Sequence, residues 1–234
     1  IGFFLNKKKI PASIGVGVVL FIIFSGFSPI NEDSRYKIVY ESDGMLGQLK
    51  VIDSETNTYT RGRKKSRSLY VNNTIQTIAN KDSLDYSIWD WSYYFPHCVS
   101  NYEEGSDVLL LGLGGGTFYH QFKRLGFNVK AVELDERIKN VAIDFFGVDK
   151  NADIVIDDAR HYLNIQKNKY DIITMDLFYN ETPPYQALTL ESFQKAKEAL
   201  KKDGAIMLNF YGYLMGDKGL AARSLIKTLR ECGF

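Results

Sequence analysis

The chain has 234 residues, in which 29 Lys and Arg residues nearly balance 28 Asp and Glu residues and leave a formal net charge of +1. This balance argues against the basic surface that nucleic-acid-binding proteins carry, so we expect no nucleic-acid partner. The two cysteines, Cys98 and Cys232, are far apart and lack metal-ligand spacing, which argues against a disulfide framework or a zinc site.

The N-terminal segment, residues 1–34, predicts a membrane helix followed by a linker. Residues 10–30 are 21 residues without a charge, and the basic run Lys7–Lys9 precedes them. This length is enough to cross the ~30 Å hydrocarbon core of a bilayer. A cleaved signal peptide is the alternative, because a basic stretch precedes an apolar one. Since the chain begins with Ile1 rather than Met and stops without a final strand pair, we expect a fragment at both ends.

Residues 35–102 are predicted to form a small antiparallel β domain with a connecting helix. The runs "YKIVYES" and "GQLKVID" are typical of strands joined by the turn "DGML", and Asn72-Asn73 marks a second turn within "RSLYVNNTIQTI". The basic run Arg61–Arg67 is interpreted as a solvated hairpin loop, with an anion- or lipid-contacting patch as the alternative. The aromatic stretch Ser83–Tyr102 predicts a helix that ends near Pro96 or His97, and its rings either form core or wall a substrate pocket.

From residue 103 onward the pattern changes to alternating strands and helices. The apolar runs "VLLLGL", "VKAVEL", "ADIVID", "YDIITMDL" and "GAIMLNF" alternate with helical stretches such as "DERIKNVAIDFF" and "TLESFQKAKEALKKDG". Nearly continuous apolar strands separated by helices indicate a parallel sheet covered on both faces. The predicted fold class is therefore α/β, with a Rossmann-like domain over residues 103–234 behind the β domain and the membrane helix.

A glycine-rich turn follows the first of these strands. Gly112, Gly114 and Gly116 precede a helix, so backbone amides and the helix N-terminus can approach a ligand closely. The dinucleotide pattern G-x-G-x-x-G would need a glycine where the chain has Thr117. The spacing G-x-G-x-G favours a nucleoside of the S-adenosylmethionine type, with a purely structural tight turn as the alternative.

Acidic side chains stand at the ends of the next three predicted strands. Glu133 can accept hydrogen bonds from both hydroxyls of a ribose, and Asp157 and Asp158 can accept from the amine of adenine. Asp176 ends the fourth strand. Open α/β sheets bind ligands at the carboxyl ends of their strands, so we expect these groups to converge on one crevice. The alternatives are a solvated strand-end charge at Glu133 and a turn cap at Asp176.

The motifs "LGLGGGT", "VELDERI", "DDARHYL" and "YDIITMDLF" together resemble the spermidine synthase (polyamine aminopropyltransferase) superfamily. The resemblance runs from about Tyr36 to the C-terminus, since "YESDGMLGQLKVID" and "RSLYVNNTIQ" resemble the N-terminal domain of that family. With its apolar N-terminal segment, the whole chain resembles the version fused behind transmembrane helices. The resemblance implies transfer of an aminopropyl group from decarboxylated S-adenosylmethionine to an amine acceptor in polyamine biosynthesis. No metal is expected, because the leaving group departs neutral.

The resemblance also implies a role for individual residues. Asp176 matches the catalytic aspartate: the amine has a free pKa of about 10, and a carboxylate can hold the ammonium and assist loss of its proton. The other implied positions are Gly114, Gly115 and Gly116 beside the methionine-derived part of the nucleoside, Glu133 at the ribose, Asp158 and Ala159 at the adenine, and Gln76 near the active-site entrance. Gly112 and Asp157 complete the predicted cofactor-binding set.

Three positions on the amine side depart from the family pattern. Thr117 stands where an aspartate contacts the aminopropyl amine, and Tyr179 stands where a second aspartate grips the diamine. The His-Glu pair expected before the first Rossmann strand is not clearly present in "IWDWSYYFPHC". Tyr179 is kept as a substrate-binding residue, with Glu181 as a candidate substitute partner for the amine. An S-adenosylmethionine-dependent methyltransferase and a non-catalytic nucleoside-binding domain of a membrane protein remain open as alternatives.

The expected location is the membrane, through residues 10–30, with the soluble domain in the cytoplasm because its nucleoside cosubstrate is cytosolic. Lys7–Lys9 favour the opposite arrangement, in which the N-terminal side is cytoplasmic and the domain lies across the membrane. A homodimer is a further expectation.

Overall fold

The computed structural model describes residues 36–58, 62–178 and 184–234, whose strands form two five-stranded sheets. The predicted membrane helix, Arg61, Tyr179 and Glu181 lie outside these residues. Within the described ranges, no helix is long and apolar enough to cross a bilayer. Both sheets belong to one compact unit, Arg35–Phe234.

The first sheet is an antiparallel meander whose strands lie side by side in chain order. The strands are β1 (Tyr36–Gly44), β2 (Gly47–Thr58), β3 (Gly62–Val71), β4 (Thr74–Asn80) and β5 (Ser83–Ser87). Asn72 and Asn73 form the two-residue turn between β3 and β4, with φ angles of 49° and 65°. Such turns need positive φ at both positions, which asparagine tolerates. The predicted antiparallel sheet and this turn are confirmed.

The interpretation of the basic run as a hairpin loop is wrong over residues 62–67, which belong to β3. A backbone ladder with β2 holds them, and alternate side chains face opposite sides of the sheet. Ser66 and Ser68 are buried, and the Ser66 hydroxyl lies 3.0 Å from that of Ser54 across the ladder. Arg67 binds Asp53 of β2 through Nε–Oδ1 and Nη2–Oδ2 distances of 2.7 and 3.0 Å. The strand therefore accommodates the charge of Arg67 through a cross-strand acidic partner.

Replacing Arg67 with Met is expected to destabilise the fold by about 3 kcal/mol, because it leaves the buried Asp53 carboxylate with one cation instead of two. Burial favours a raised pKa for Asp53, but hydrogen bonds from Arg67 and Lys81 pull that pKa below its usual value. Arg67 also donates to the backbone carbonyl of Phe145 at 3.2 Å. Urea unfolding at neutral pH measures the loss. The matched control is Lys65→Met on an exposed position of β3, and an equal shift in both variants would contradict the assignment.

The second sheet is parallel throughout, in the order β10-β9-β6-β7-β8. Its strands are β6 (Asp107–Leu111), β7 (Asn128–Glu133), β8 (Asp153–Ile156), β9 (Tyr170–Met175) and β10 (Leu200–Leu208). β6 to β9 coincide with apolar runs named above, and these predicted strands are confirmed. β10 contains most of the run "GAIMLNF" but begins at Leu200, so the predicted helical stretch is wrong over residues 200–203, where Leu200 pairs with Tyr170 of β9. The central strand β6 is buried from Val108 to Leu111.

Helices cover both faces of the parallel sheet, as predicted. They are α1 (Tyr94–Cys98), α2 (Thr117–Arg124), α3 (Glu136–Phe146), α4 (Ala159–Leu163), α5 (Leu190–Ala199) and α6 (Leu220–Glu231). Alternate residues of β6 point to opposite faces: Leu110 packs with Phe118 of α2, whereas Leu109 packs with Phe193 of α5. This two-layered core is the physical reason that the strands read as continuous apolar runs.

Chain order positions the site. From β6 the chain adds β7 and β8 on one side, and it then returns to add β9 and β10 on the other. The reversal opens a crevice at the carboxyl ends of β6 and β9, where open α/β sheets bind ligands.

Candidate active site

The glycine loop that follows β6 is packed against both neighbouring segments. Gly112 has φ 89°, and a Cβ added there would overlap the backbone carbonyl oxygen of Asp176 at the end of β9. Only glycine allows the two strand ends to approach so closely. The Gly115 amide donates to Thr77 Oγ1 of β4 at 2.9 Å, and a Cβ at Gly116 would meet Val148. The loop is therefore held by protein contacts on two sides.

Two cavities open at this edge of the sheet. Cavity A is lined by the sequence-predicted nucleoside residues, and cavity B, of about 600 Å³, lies beside Asp176. Gly114, Gln76 and Phe178 line both, so the two cavities meet at these residues. Gly115 and Gly116 are not among the described residues that line either cavity. The predicted members that line cavity A are Gly112, Gly114, Glu133, Asp157, Asp158 and Ala159.

Glu133 ends β7 and is 8% exposed. Its carboxylate accepts hydrogen bonds from the backbone amides of Leu113 at 3.0 Å, Leu134 at 2.8 Å and Asp135 at 3.1 Å. Burial raises the pKa of Glu133, and these backbone donors oppose the rise. The backbone of Gly114 is a further donor to this carboxylate, so Glu133 fixes the glycine loop from Leu113 to Gly114 and the turn after β7.

The third strand contributes the opposite wall of cavity A. The Asp157 amide donates to the carbonyl of Glu133 at 3.0 Å, and the Asp157 carboxylate lies 2.8 Å from Nδ1 of His161. Asp158 caps α4 by accepting from the His161 amide at 2.9 Å. Asp158 is exposed, and one oxygen makes this cap, so the other is available to a ligand.

Asp176 directly follows β9 and lines cavity B. Its Oδ1 accepts a hydrogen bond of 2.8 Å from Nδ2 of Asn209, which follows β10. Burial raises the pKa of Asp176 to about 6; the Asn209 bond opposes this shift and the charge of Glu133 adds to it. A carboxyl group with a pKa close to neutral pH is suited to accept and release protons during a reaction.

The aromatic stretch before β6 serves both purposes that the sequence left open. Phe95 packs on Phe118 with ring centroids 4.6 Å apart, and both rings belong to the core region. Trp89 and Trp91 instead line cavity B. The predicted helix is confirmed as α1, which ends at Cys98, one residue beyond His97.

Three contributors to the site were not predicted from the sequence. Asn209 could have been found, because it follows the fifth strand at the same edge as Asp176. Thr77 carries no sequence signal, since its role depends on the packing of β4 on the glycine loop. Arg137 donates to the carbonyl of Gly47 at 3.1 Å and binds Asp135, which ties the β1–β2 turn to the rim of cavity A.

Thr77→Val is expected to weaken nucleoside binding about tenfold and to cost about 1–2 kcal/mol of stability, because the buried Gly115 amide loses its acceptor. Binding of methylthioadenosine, followed by calorimetry, measures the first effect. Thr77→Ser keeps the hydroxyl and should bind close to the wild type. Thr228→Val, on α6 and remote from both cavities, is the control for a general effect of losing a hydroxyl. Unchanged binding in Thr77→Val would show that this contact does not shape the site.

The spermine/spermidine synthase domain family matches residues 94–212, just over half of the chain. A probable polyamine aminopropyl transferase of Bifidobacterium longum is 27% identical over 214 residues, which are 88% of this chain and 45% of that protein. An N-terminal histidine N-methyltransferase of Emericella nidulans is 30% identical over 141 residues, 58% of this chain and 25% of that protein. The chain thus spans less than half the length of these curated relatives.

The fold is similar to that of a probable spermidine synthase from Corynebacterium glutamicum. The TM-score is 0.68 at 16% identity, over 84% of this chain and 71% of that one. At this identity the likeness concerns the fold alone, and it includes both an antiparallel and a parallel sheet. Because the family match covers more than half of its residues, the chain belongs to the spermine/spermidine synthase domain family.

Proposed function

We propose that this chain is an aminopropyltransferase of polyamine biosynthesis, which transfers an aminopropyl group from decarboxylated S-adenosylmethionine to an amine acceptor. The observation that carries the proposal is the meeting of two cavities at Gly114 and Gln76. One cavity has the acidic groups that a nucleoside needs, and the other has a carboxylate with a raised pKa. The aminopropyl donor can therefore bind in cavity A and the amine acceptor in cavity B, on either side of the point where the two cavities meet.

Cavity A fits the nucleoside. In this proposal Glu133 accepts from a ribose hydroxyl and Asp158 from the adenine amine, and the lining residues Leu134, Ile138 and Leu177 form apolar walls for a planar base. Gly112 and Gly114 leave room for the sulfonium portion. In this proposal Ala159 and Asp157 line the adenine end, and Gly115 and Gly116 act indirectly by setting the course of the loop.

Asp176 has the central role in the proposed reaction. The sulfonium of the donor makes its neighbouring methylene carbon open to attack, and methylthioadenosine departs neutral. The attacking amine has a free pKa of about 10 and arrives as an ammonium ion. Asp176 holds that ion, accepts its proton and orients the nitrogen lone pair toward the junction of the cavities. Asn209 keeps the carboxylate pointing in one direction.

The rate of transfer is expected to fall about tenfold per pH unit below about pH 6. The pKa of Asp176 is raised to about 6, and the side chain acts as a base only when it is a carboxylate. Asn209→Ala removes a bond that lowers the pKa of Asp176, so the acid limb should move to higher pH. A profile of kcat/KM for the amine against pH measures both effects. Asn128→Ala, at the opposite edge of the sheet, should leave the limb in place. An unmoved limb in Asn209→Ala would mean that another group titrates.

The deciding experiment offers the full-length protein decarboxylated S-adenosylmethionine and a set of amines, and measures release of methylthioadenosine. Release supports the proposal. Thr117, which replaces the aspartate at the aminopropyl amine, and the similarity to a histidine methyltransferase favour a methyltransferase as the second candidate. Release of S-adenosylhomocysteine from S-adenosylmethionine would identify that activity. Nucleoside binding with neither product would leave a non-catalytic binding domain.

The remaining features are proposed from the sequence. Residues 10–30 anchor the protein in a membrane as one of several fused helices, and the catalytic part, with domain boundaries at 35–102 and 103–234, faces the cytoplasm. Tyr179 contacts the acceptor, and the protein forms a homodimer. Resistance to alkaline extraction from membranes, protection of a C-terminal tag from external protease, and sedimentation of the detergent-solubilised protein test anchoring, sidedness and the dimer in turn.

A further inference from the structure

The turn between β1 and β2 carries two apolar side chains at its tip. Met45 and Leu46 form this two-residue turn. Such turns favour Asn, Asp and Gly, so an apolar pair at the tip is unusual. Met45 is fully exposed, whereas Leu46 is 36% exposed and lines cavity A. The turn therefore presents one apolar side chain to the cavity in which the nucleoside is proposed to bind.

Arg137 of α3 fixes the position of this turn. Its Nη1 donates to the carbonyl of Gly47 at 3.1 Å and to the hydroxyl of Ser42 at 3.4 Å. Its other nitrogens bind the Asp135 carboxylate, with an Nε–Oδ1 distance of 3.0 Å and an Nη2–Oδ2 distance of 2.5 Å. A Cβ added at Gly44 would lie 2.6 Å from the guanidinium carbon, so the guanidinium packs directly on the backbone of β1. One side chain therefore holds both strands that flank the turn.

The same short run of chain leads from Arg137 to Glu133. Asp135 is 7% exposed, and its amide donates to Oε1 of Glu133 at 3.1 Å. Asp135 is thus bonded to Glu133 through its backbone and to Arg137 through its carboxylate. The position of the turn is therefore coupled to the carboxylate that is proposed to bind the ribose.

The neighbouring turn between β3 and β4 holds the other side of the β1–β2 turn. The Gln48 amide donates to Oδ1 of Asn72 at 3.0 Å, and the Asn72 amide donates to the carbonyl of Gln48 at 2.9 Å. A Cβ at Gly47 would overlap the side chain of Asn72. The turn is therefore fixed on two sides before a ligand arrives, and a surface that is already ordered binds without the entropic cost of ordering itself.

Further apolar surface in cavity A comes from the start of α3 and the residues before it. Leu134 is 53% exposed, and both Leu134 and Ile138 line the cavity together with Leu46. A planar base in cavity A can contact all three side chains and remove their apolar surface from water, which favours binding. Leu46 is the member of this group that depends on the first sheet for its position.

We infer that Leu46 covers the adenine nucleoside in cavity A and that Arg137 is the positioning residue that holds Leu46 there. This role rests on the proposed nucleoside site and deepens it, because it assigns part of donor binding to the first sheet. Arg137 is not among the described residues that line cavity A, so it acts through the turn. Its loss should therefore raise KM for the donor and leave both kcat and KM for the amine unchanged.

The test is a double-variant cycle on the full-length protein, in which calorimetry measures the binding of methylthioadenosine. Leu46→Ala should weaken binding about tenfold, because it removes apolar cover from the nucleoside. Met45→Ala is the matched control, since this neighbour is outside the described residues that line cavity A, and its affinity should stay within about twofold of the wild type. Arg137→Met keeps the aliphatic stem and should weaken binding about tenfold. Because Arg137 acts through Leu46, the double variant should bind no more than about twofold weaker than either single variant, whereas independent losses would multiply to about 100-fold.

Gly44→Ala is the second variant should Arg137→Met fail to fold. It keeps the charge of Arg137, but the added Cβ displaces the guanidinium from β1, so it should weaken binding in the same way. Steady-state kinetics with decarboxylated S-adenosylmethionine gives the further readout. In both variants KM for this donor should rise about tenfold, while kcat and KM for the amine stay at the wild-type values.

Wild-type affinity in Leu46→Ala would overturn this role, as would a loss of about 100-fold in the double variant, since Arg137 would then act independently of Leu46. A fall in kcat at an unchanged KM for the donor would do the same. If the wild type does not bind methylthioadenosine, the nucleoside site and this role fail together. Binding of methylthioadenosine without its release from decarboxylated S-adenosylmethionine and any amine would reject the proposed reaction alone, and the binding cycle would still decide the role of Arg137.

Discussion

Asp176→Asn is expected to lower the rate of aminopropyl transfer by a factor of about 100 or more, which is the usual contribution of a positioned general base. The amide keeps the size of the side chain and can still bond to Asn209, so the geometry of the junction is preserved. Release of methylthioadenosine under saturating donor and acceptor measures the loss. Turnover at the wild-type rate would remove Asp176 from its assigned role.

The same variant is expected to gain about 2 kcal/mol of stability near pH 8, which corresponds to a higher melting temperature by about 5 °C. The folded-state pKa of Asp176 is about 6, above the ordinary 3.8, so the folded protein binds a proton more tightly than the unfolded chain between these values. The stability contributed by this group therefore falls as the pH rises from 3.8 to about 6 and stays low above it. The neutral amide of the Asp176→Asn variant avoids that loss, and the difference between the two proteins should vanish near pH 4.

Asp171→Asn is a matched control on the same strand. Burial raises the pKa of Asp171, but bonds from Lys201 and the Asp107 amide outweigh it and hold that pKa below its usual value. Its charge therefore stabilises the fold above the unfolded pKa and is lost as the pH falls through the folded pKa. Asp171→Asn should lower the melting temperature near pH 8 and leave transfer intact, the reverse of Asp176→Asn on both counts. A change of melting temperature in the same direction in both variants would contradict the opposite pKa shifts assigned to Asp171 and Asp176.

Glu133→Ala is expected to lose about 3 kcal/mol of stability and to bind methylthioadenosine about 100-fold more weakly. The buried amides of Leu113 and Asp135 and the part-buried amide of Leu134 would lose their acceptor, and the ribose would lose a charged partner. Glu133→Gln keeps one acceptor oxygen and should bind about tenfold more weakly, between the two. Urea unfolding and calorimetric titration with methylthioadenosine measure the two effects.

Glu136→Ala separates this role from a general effect of charge. Glu136 is an exposed acidic residue in the first turn of α3, close in sequence to Glu133. Its removal should change stability by less than about 0.5 kcal/mol and leave nucleoside affinity unaltered. If Glu133→Ala binds the nucleoside as tightly as Glu136→Ala, the carboxylate at the end of β7 serves the fold and not the ligand.

The sequence predicts the fold correctly where the hydrophobic pattern lies in consecutive residues. The apolar runs from Leu109 to Leu111 and from Ile172 to Met175 are buried between helices, and that burial imposes the pattern that the sequence displays. The site followed from a single rule, because Glu133, Asp158 and Asp176 all stand at the carboxyl edge of a parallel sheet.

The errors and omissions lie where partners are distant in sequence. The sequence wrongly predicts a loop for the basic run, because the acidic partner of Arg67 lies on a neighbouring strand, 14 residues away. Thr77 meets Gly115 over 38 residues, and Asn209 meets Asp176 over 33. Such pairs depend on the register and packing of the sheets, which periodicity in one strand does not encode.

Apart from Gln76, Gly114 and Phe178, which line both cavities, the walls of the two cavities come from different residues. Glu133, Ile138 and Asp158 line cavity A, whereas cavity B has the tryptophans that precede β6 and Tyr211, which follows β10. Gly112 and Asp176, by contrast, are locked together by a contact that admits no side chain. Substitutions in the residues before β6 and after β10 could therefore change the amine that cavity B accepts. Such changes would leave cavity A and the contact between Gly112 and Asp176 unaltered.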